Sequence, residues 1–286
     1  MPSNMEAYYD SPLLIDKDKV DLRYNVYYPF LYCLPINTDS FWKKLIFNSC
    51  PKPTFGDKEQ CENYLVETIQ SFNLSLLPKQ REAIINSMQA QDYYLIQGPP
   101  GTGKSFVLGI IILEEIFDLK HNVIVIGPNH MAINNAMGQF VKLMPTYGVL
   151  TTKVGQSYNA PTIKVPYKGK DYSIVNVPYL NVNWARNLNT EHNLNWLIGL
   201  TPHCLYTRRA RMLECDTLII DEAGQMTIPL ALMGMIKAKK VIFAGDHKQL
   251  PPIVSSEKVM DELKQSAFQT LISDQNCTML DTSFRM

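Results

Sequence analysis

The residues Gly98-Pro99-Pro100-Gly101-Thr102-Gly103-Lys104-Ser105 constrain this chain more than any other stretch. They satisfy the pattern G-x-x-x-x-G-K-[ST], whose glycines let the backbone turn its N–H groups inward around an anion with no Cβ in the way. Lys104 then reaches toward β- and γ-phosphates and Ser105 toward Mg²⁺. The helix that follows presents its positive N-terminal end to the same place. The flanks agree. Residues 92–97, Asp-Tyr-Tyr-Leu-Ile-Gln, read as a strand entering the loop, and 106–117 as a mostly apolar, buried helix leaving it. Nucleotide binding is the expectation.

Short continuous apolar runs at 122–127, 196–200, 217–220 and 241–244 are of the kind that parallel sheets bury on both faces. Helical stretches alternate with them, which predicts an α/β, doubly wound domain. Three textures divide the chain. Residues 1–72 form an N-terminal accessory region with aromatic runs, such as Tyr27-Tyr28-Pro29-Phe30-Leu31-Tyr32, and a weak helix over 58–72. Its aromatics suit either a local core or stacking on bases. Residues 73–286 form the α/β domain. Within it about 145–192, rich in Pro, Tyr, Asn and Lys and lacking clear periodicity, is too long for an ordinary connection and reads as an insertion.

The run Thr217-Leu218-Ile219-Ile220-Asp221-Glu222 is a strand ending in two carboxylates. At such a strand end a P-loop enzyme places the acid that holds Mg²⁺, which suits Asp221. Glu222, next in the chain, is placed to take a proton from the water attacking the γ-phosphate. The following strand ends in Gly245-Asp246-His247-Lys248-Gln249-Leu250-Pro251-Pro252. Parallel sheets bind ligands at the carboxyl ends of their strands, so Gln249 is expected near the γ-phosphate, where its amide senses that group.

Together, the glycine-rich loop, Asp221-Glu222-Ala223-Gly224-Gln225 and the Gly245 to Pro252 segment resemble superfamily 1 helicases. The likeness is greatest to the 5′-to-3′ branch that includes senataxin and the nonsense-mediated-decay helicase, and it covers about 73–286. It implies a RecA-like parallel sheet with helices on both faces, binding ATP and Mg²⁺. Leu76-Leu77-Pro78-Lys79-Gln80 resembles the family's Q motif, which implies that Gln80 reads adenine. Pro128-Asn129-His130-Met131 resembles motif Ia and Leu200-Thr201-Pro202 a later strand end. The resemblance therefore implies nucleic-acid contacts at Asn129, His130 and Thr201. Thr282-Ser283-Phe284-Arg285-Met286 resembles the segment ending Tyr-Arg-Met, which implies that Arg285 faces the γ-phosphate.

Departures from the family pattern are Leu77 for a usual Asn, Asn129 for Ser or Thr, and Asn134 for a common Asp. The expected activity is ATP-driven movement on single-stranded DNA or RNA. Its partner would be a second RecA-like domain of the same longer protein, absent from the residues up to Met286. Two alternatives stand beside it: a nucleotide-dependent switch that binds nucleic acid without unwinding, and a truncated product that only binds nucleotide.

Composition narrows little. Lys plus Arg and Asp plus Glu number 27 each, so a nucleic-acid surface would have to be a local patch. The densest basic clusters, Arg208, Arg209 and Arg211 with Lys237, Lys239 and Lys240, suit phosphate contact or a solvated helix face equally. Cysteines at 33, 50, 61, 204, 215 and 277 form no C-x-x-C pair, which argues for reduced thiols rather than a zinc site. No run approaches a membrane span and no signal peptide is recognisable, so a soluble cytoplasmic protein without membrane partners is expected.

Overall fold

A computed structural model of the protein describes residues 27–33, 52–144, 149–155, 162–177, 188, 195–207, 210–252 and 264–284. Its frame is one sheet of nine strands: β1 (Tyr93–Gln97), β2 (Val123–Ile126), β3 (Leu150–Val154), β4 (Thr162–Tyr167), β5 (Lys170–Val177), β6 (Trp196–Gly199), β7 (Cys215–Ile220), β8 (Ala238–Gly245) and β9 (Cys277–Met279). Their spatial order is β4-β5-β3-β6-β2-β7-β8-β1-β9. Every pairing is parallel except β4 with β5.

The continuous apolar runs are explained by burial on both faces. Tyr93 and Leu95, Leu218 and Ile220, and Val241 and Phe243 point to one face. Their chain neighbours Tyr94 and Ile96, Ile219, and Ile242 and Ala244 point to the other. On the second face lie α2 (Lys58–Phe72), α3 (Pro78–Gln89), α4 (Lys104–Phe117) and α5 (His130–Leu143). The first face is covered by α1 (Tyr28–Cys33), α6 (Pro202–Leu205), α7 (Ile228–Met235) and α8 (Ala267–Leu271). With helices on both sides, each central strand has to present apolar side chains in both directions.

The stretch read as aperiodic, 145–192, contributes β3, β4 and β5 to this same sheet. Its apolar pattern is weak because residue type does not follow burial along β5: Ile174 is buried, while apolar Val175 faces solvent and polar Asn176 is buried after it. In the accessory region, α2 occupies the expected Lys58–Phe72, capped by Asp57, whose carboxylate accepts from Glu59 N at 2.9 Å. Its Cys61 and Leu65 join the core beneath α3 and α4. Phe30 of α1 is likewise a core residue, edge-on to Tyr206 with ring centroids 5.3 Å apart.

Within the basic clusters, Lys240 departs from both expectations. Lys240, on β8, is buried and pairs with the fully buried Glu115 of α4 at 2.6 Å. Glu115 also accepts from Thr217 Oγ1 at 2.6 Å and lies 2.7 Å from His121 Nδ1. Burial pushes that carboxyl upward, but Lys240 and His121 outweigh it and hold the group below its ordinary value. Lys239 pairs with Asp216 and Lys237 donates to the Arg211 carbonyl; Arg208 and Arg209 lie outside the described residues. Cys61, Cys204, Cys215 and Cys277 are free thiols. Among the described residues no helix is long and apolar enough to cross a membrane.

Candidate active site

Parallel pairing brings three loops to one edge of the sheet. Gln97 is level with Gly245, and Ile220 with Phe243, so β1, β8 and β7 end side by side. The loops they release are in backbone contact. Gly98 N donates to the Gly245 carbonyl at 2.9 Å. A Cβ on Gly224 would stand 2.6 Å from Asp246 O, and one on Gly245 would stand 2.8 Å from Gly224 N. Any side chain at these two glycines would force the β7 and β8 loops apart.

The loop after β1 has the cradle shape its sequence predicts. Gly101 and Gly103 take φ values of 83° and 81°, a left-handed conformation that glycine adopts without strain. Thr102 Oγ1 donates to Pro99 O at 2.8 Å and tightens the turn. Gly103 caps α4, so Lys104 is its first residue. A cleft of about 380 Å³ opens here, lined by Pro99, Pro100, Gly101, Lys104 and Ser105 of the loop together with Glu222 and Gln249.

The two acids occupy different positions. Lys104 Nζ lies 3.0 Å from Glu222 Oε1 at the cleft wall. Asp221 is buried behind them, accepting from Glu222 N at 2.9 Å. Burial pushes its carboxyl up to about 6, the nearby Lys104 opposing that and Glu222 adding to it. Such a group stays ionised more readily with another cation beside it. With the Ser105 hydroxyl, it is a hard-oxygen donor set that fits Mg²⁺. Glu222 sits at φ 54° and ψ 39°, a left-handed conformation uncommon for a residue with a side chain and concentrated at functional sites. On the β8 loop, Gln249 Nε2 donates to Asp246 Oδ2 at 3.2 Å. Burial raises the Asp246 carboxyl, but hydrogen bonds from Lys248 N, Gln249 and Gln97 hold it below the ordinary range, so Gln249 has a charged anchor.

Gln80 abuts the same loop. Its Oε1 accepts from Leu77 N at 3.1 Å and its Nε2 donates to Thr102 O at 3.2 Å. The chain after β9 crosses this corner too: Leu280 N donates to Gln97 O and Phe284 N to Gly101 O, each at 2.8 Å. A Cβ on Gly103 would lie 3.6 Å from the Phe284 ring, so that exposed ring overhangs the loop beside Gln80. The resemblance assigns a role to the neighbouring Arg285, which lies outside the described residues, and places Phe284 at the Tyr of Tyr-Arg-Met without giving it a role.

Asn129, His130 and Thr201 gather at the ends of β2 and β6, on the same edge. Asn129 caps α5, its side chain accepting from Ala132 N at 3.0 Å. Thr201 Oγ1 donates to Cys204 Sγ at 3.3 Å. His130 Nδ1 lies 2.7 Å from the amine of buried Lys153, which also donates to Val154 O. Burial, then Lys153, hold the His130 imidazole below its usual value, and burial pushes the Lys153 amine down to about 8. Lys153 is a member of this cluster that sequence alone did not suggest. A second cavity of about 380 Å³, at the opposite end of the strands beside Cys61, His121 and Lys240, contains none of the phosphate-loop residues.

A family model described as an AAA domain matches residues 75–178 and 201–257. Among curated proteins, the DNA replication ATP-dependent helicase/nuclease DNA2 of Saccharomyces cerevisiae is 29% identical over 232 residues, which cover 79% of this chain and 14% of that protein. Regulator of nonsense transcripts 1 of Dictyostelium discoideum is 27% identical over 234 residues, covering 71% of this chain and 18% of that protein. The chain spans between 14% and 44% of the length of such relatives. A crystal structure of the Pif1 helicase from Candida albicans aligns at 18% identity with a TM-score of 0.39, over 74% of this chain and 41% of that one.

Proposed function

The chain belongs to the AAA-domain family and is a superfamily 1 helicase RecA-like ATPase region, and from that premise we propose that it is the first motor domain of an ATP-driven translocase on single-stranded nucleic acid. One observation carries the reading: Lys104 and Glu222 meet at 3.0 Å over the glycine-rich loop, with Asp221 buried behind them.

In this mechanism Lys104 leaves Glu222 to neutralise the β- and γ-phosphates of ATP, and the loop's N–H groups hold the phosphate oxygens. Ser105 and Asp221 would hold Mg²⁺, which supplies positive charge that polarises those phosphates. The freed Glu222 carboxylate takes a proton from the attacking water as the bond between the γ-phosphorus and its bridging oxygen breaks. Gln249, fixed by Asp246, faces the γ-phosphate and reports its presence. The Phe284 ring stacks on the adenine while Gln80 lies at its edge. Arginines from a second RecA-like domain, and Arg285, supply the remaining transition-state charge, worth roughly 10³–10⁵ in rate.

The strand of nucleic acid would cross the ends of β2 and β6 at Asn129, His130 and Thr201. Contacts to backbone and base faces bring little sequence preference and a steep salt dependence. The test is a pair of titrations. Lys104→Ala should abolish tight binding of labelled ATP. Single strands should bind in a salt-sensitive, sequence-tolerant way by fluorescence anisotropy. Unchanged ATP affinity sinks the nucleotide site, and a flat salt response or strong base preference points to a different partner.

A further inference from the structure

Helix α5 lines the nucleotide cleft as well as the strand edge, and a role for it in the cleft presupposes the nucleotide site proposed above. Asn135 and Gln139 stand four residues apart on α5 and so share a face. That face borders the cleft beside Lys104, Ser105 and Glu222. The opposite face is apolar and packed: Ile133, Ala136, Met137 and Phe140 are buried against the sheet and α4. Among the described residues neither carboxamide has a hydrogen-bond partner, while Asn129 and Gln249 nearby are both engaged.

The placement of Gln139 is set by backbone rather than by side-chain packing. A Cβ on Gly109 of α4 would lie 2.7 Å from Gln139 Cβ, 3.0 Å from Gln139 C and 3.1 Å from Phe140 N. Glycine therefore lets α5 approach the helix that starts at the phosphate loop, one turn beyond Ser105, at the residue whose amide borders the cleft. Lys104 and Glu222 line the same cleft.

Few protein ligands are available to a cation here. Among the described residues no group of three or more His, Cys, Asp or Glu converges on a metal position. Ser105 and Asp221 would give Mg²⁺ only two protein oxygens, and Mg²⁺ characteristically keeps several waters. Those waters donate outward and need acceptors. We propose that Asn135 and Gln139 are positioning residues of the nucleotide site, their side-chain carbonyl oxygens accepting hydrogen bonds from the waters around Mg²⁺.

The experiment is to titrate a fluorescent ATP analogue onto the 286-residue chain in excess Mg²⁺ and again in EDTA, for the parent, Asn135→Ala, Gln139→Leu and Gln139→Glu. Mg²⁺ should strengthen binding to the parent. In Asn135→Ala and Gln139→Leu that strengthening should shrink about 10-fold or more, the range for lost outer-shell partners, with affinity in EDTA unchanged. Gln139→Glu keeps an acceptor and should restore the effect. Asn135 is solvent-facing, so its alanine variant keeps the fold and the test stands even where Gln139→Leu loosens the helix contact. A parent-like Mg²⁺ effect in both variants overturns the inference. So does an equal loss in Mg²⁺ and EDTA, which would put the amides on the phosphates themselves. A parent that shows no nucleotide binding under either condition instead removes the nucleotide site on which the inference rests.

Discussion

Exchanging Glu222 for Gln removes a charge while keeping the side chain's shape, and its two consequences run in opposite directions. Glu222 Oε1 lies 3.0 Å from Lys104 Nζ. At an effective dielectric of about 20, that separation corresponds to roughly 5.5 kcal/mol of gross attraction. The Glu222 side chain is 29% exposed, so water screens the pair, and burying most of Lys104 costs hydration. The net attraction is then about 1 kcal/mol, in line with partly exposed pairs. Lys104 must give up this contact to reach phosphates, so the pair opposes nucleotide binding. Glu222→Gln should therefore tighten ATP binding by about fivefold, the equivalent of about 1 kcal/mol. Hydrolysis should fall on the order of 10²–10⁴-fold, the contribution of a general base, or about 2.7–5.5 kcal/mol of barrier. Equilibrium titration with labelled ATP reads the first change. Steady-state phosphate release, with single strands present and the second motor domain supplied in cis, reads the second. Turnover equal to the parent would place the base elsewhere. Weaker binding would show that Glu222 helps hold the nucleotide instead of competing for Lys104.

Gly224→Ala should cost about 1–3 kcal/mol of stability, as overpacking does, because its Cβ would meet backbone Asp246 O at 2.6 Å. Thermal unfolding checks the loss, and displacement of Gln249 with its loop should lower turnover further. Gly199→Ala should destabilise by a similar amount, its Cβ meeting Ile133 Cγ2 of α5 at 2.6 Å, and a lowered melting temperature checks it. Lys153→Met should raise the melting temperature at pH 7. The folded amine is depressed from 10.5 to about 8, so it carries an unfavourable charge below pH 8. The unfolded chain holds more protons between about pH 8 and 10.5, so the parent gains stability as pH rises through that window. The advantage of the Met variant should shrink accordingly and be lost near pH 10.5; a gain that does not change with pH would refute a charge-based origin.

Local chemistry was legible in the order of the residues. The strand, glycine loop and helix from Tyr93 to Phe117 could be read because glycines at fixed spacing have one stereochemical use and a doubly buried strand is an unbroken apolar run. Asp221 and Glu222 stood out as charges at the end of such a run. Helix α2 was expected over about 58–72 and spans Lys58–Phe72, while its cap at Asp57 is seen only in the structure.

Whatever depends on which strands are neighbours came from the folded chain alone. The pairing of β1 with β8 and of β8 with β7 brings residues far apart in the chain to one cleft. The pairing of β9 with β1 carries Phe284 across the loop, where its main-chain N–H bonds to Gly101, a contact that no side-chain pattern encodes. Strands β3 to β5 lacked a signal because an edge of the sheet is half solvated and tolerates Lys, Asn and Pro. Lys240, one lysine among three near one another, proved to be a buried partner of Glu115, because alternation along β8 turns it inward while Lys239 points to water. Asn135 and Gln139 drew no notice in the sequence. Only the approach of α5 to Gly109 on α4 places that polar face at the phosphate loop. Periodicity is a property of neighbouring residues and survives in the sequence, whereas the meeting of distant backbones is chosen by the packing of the whole sheet.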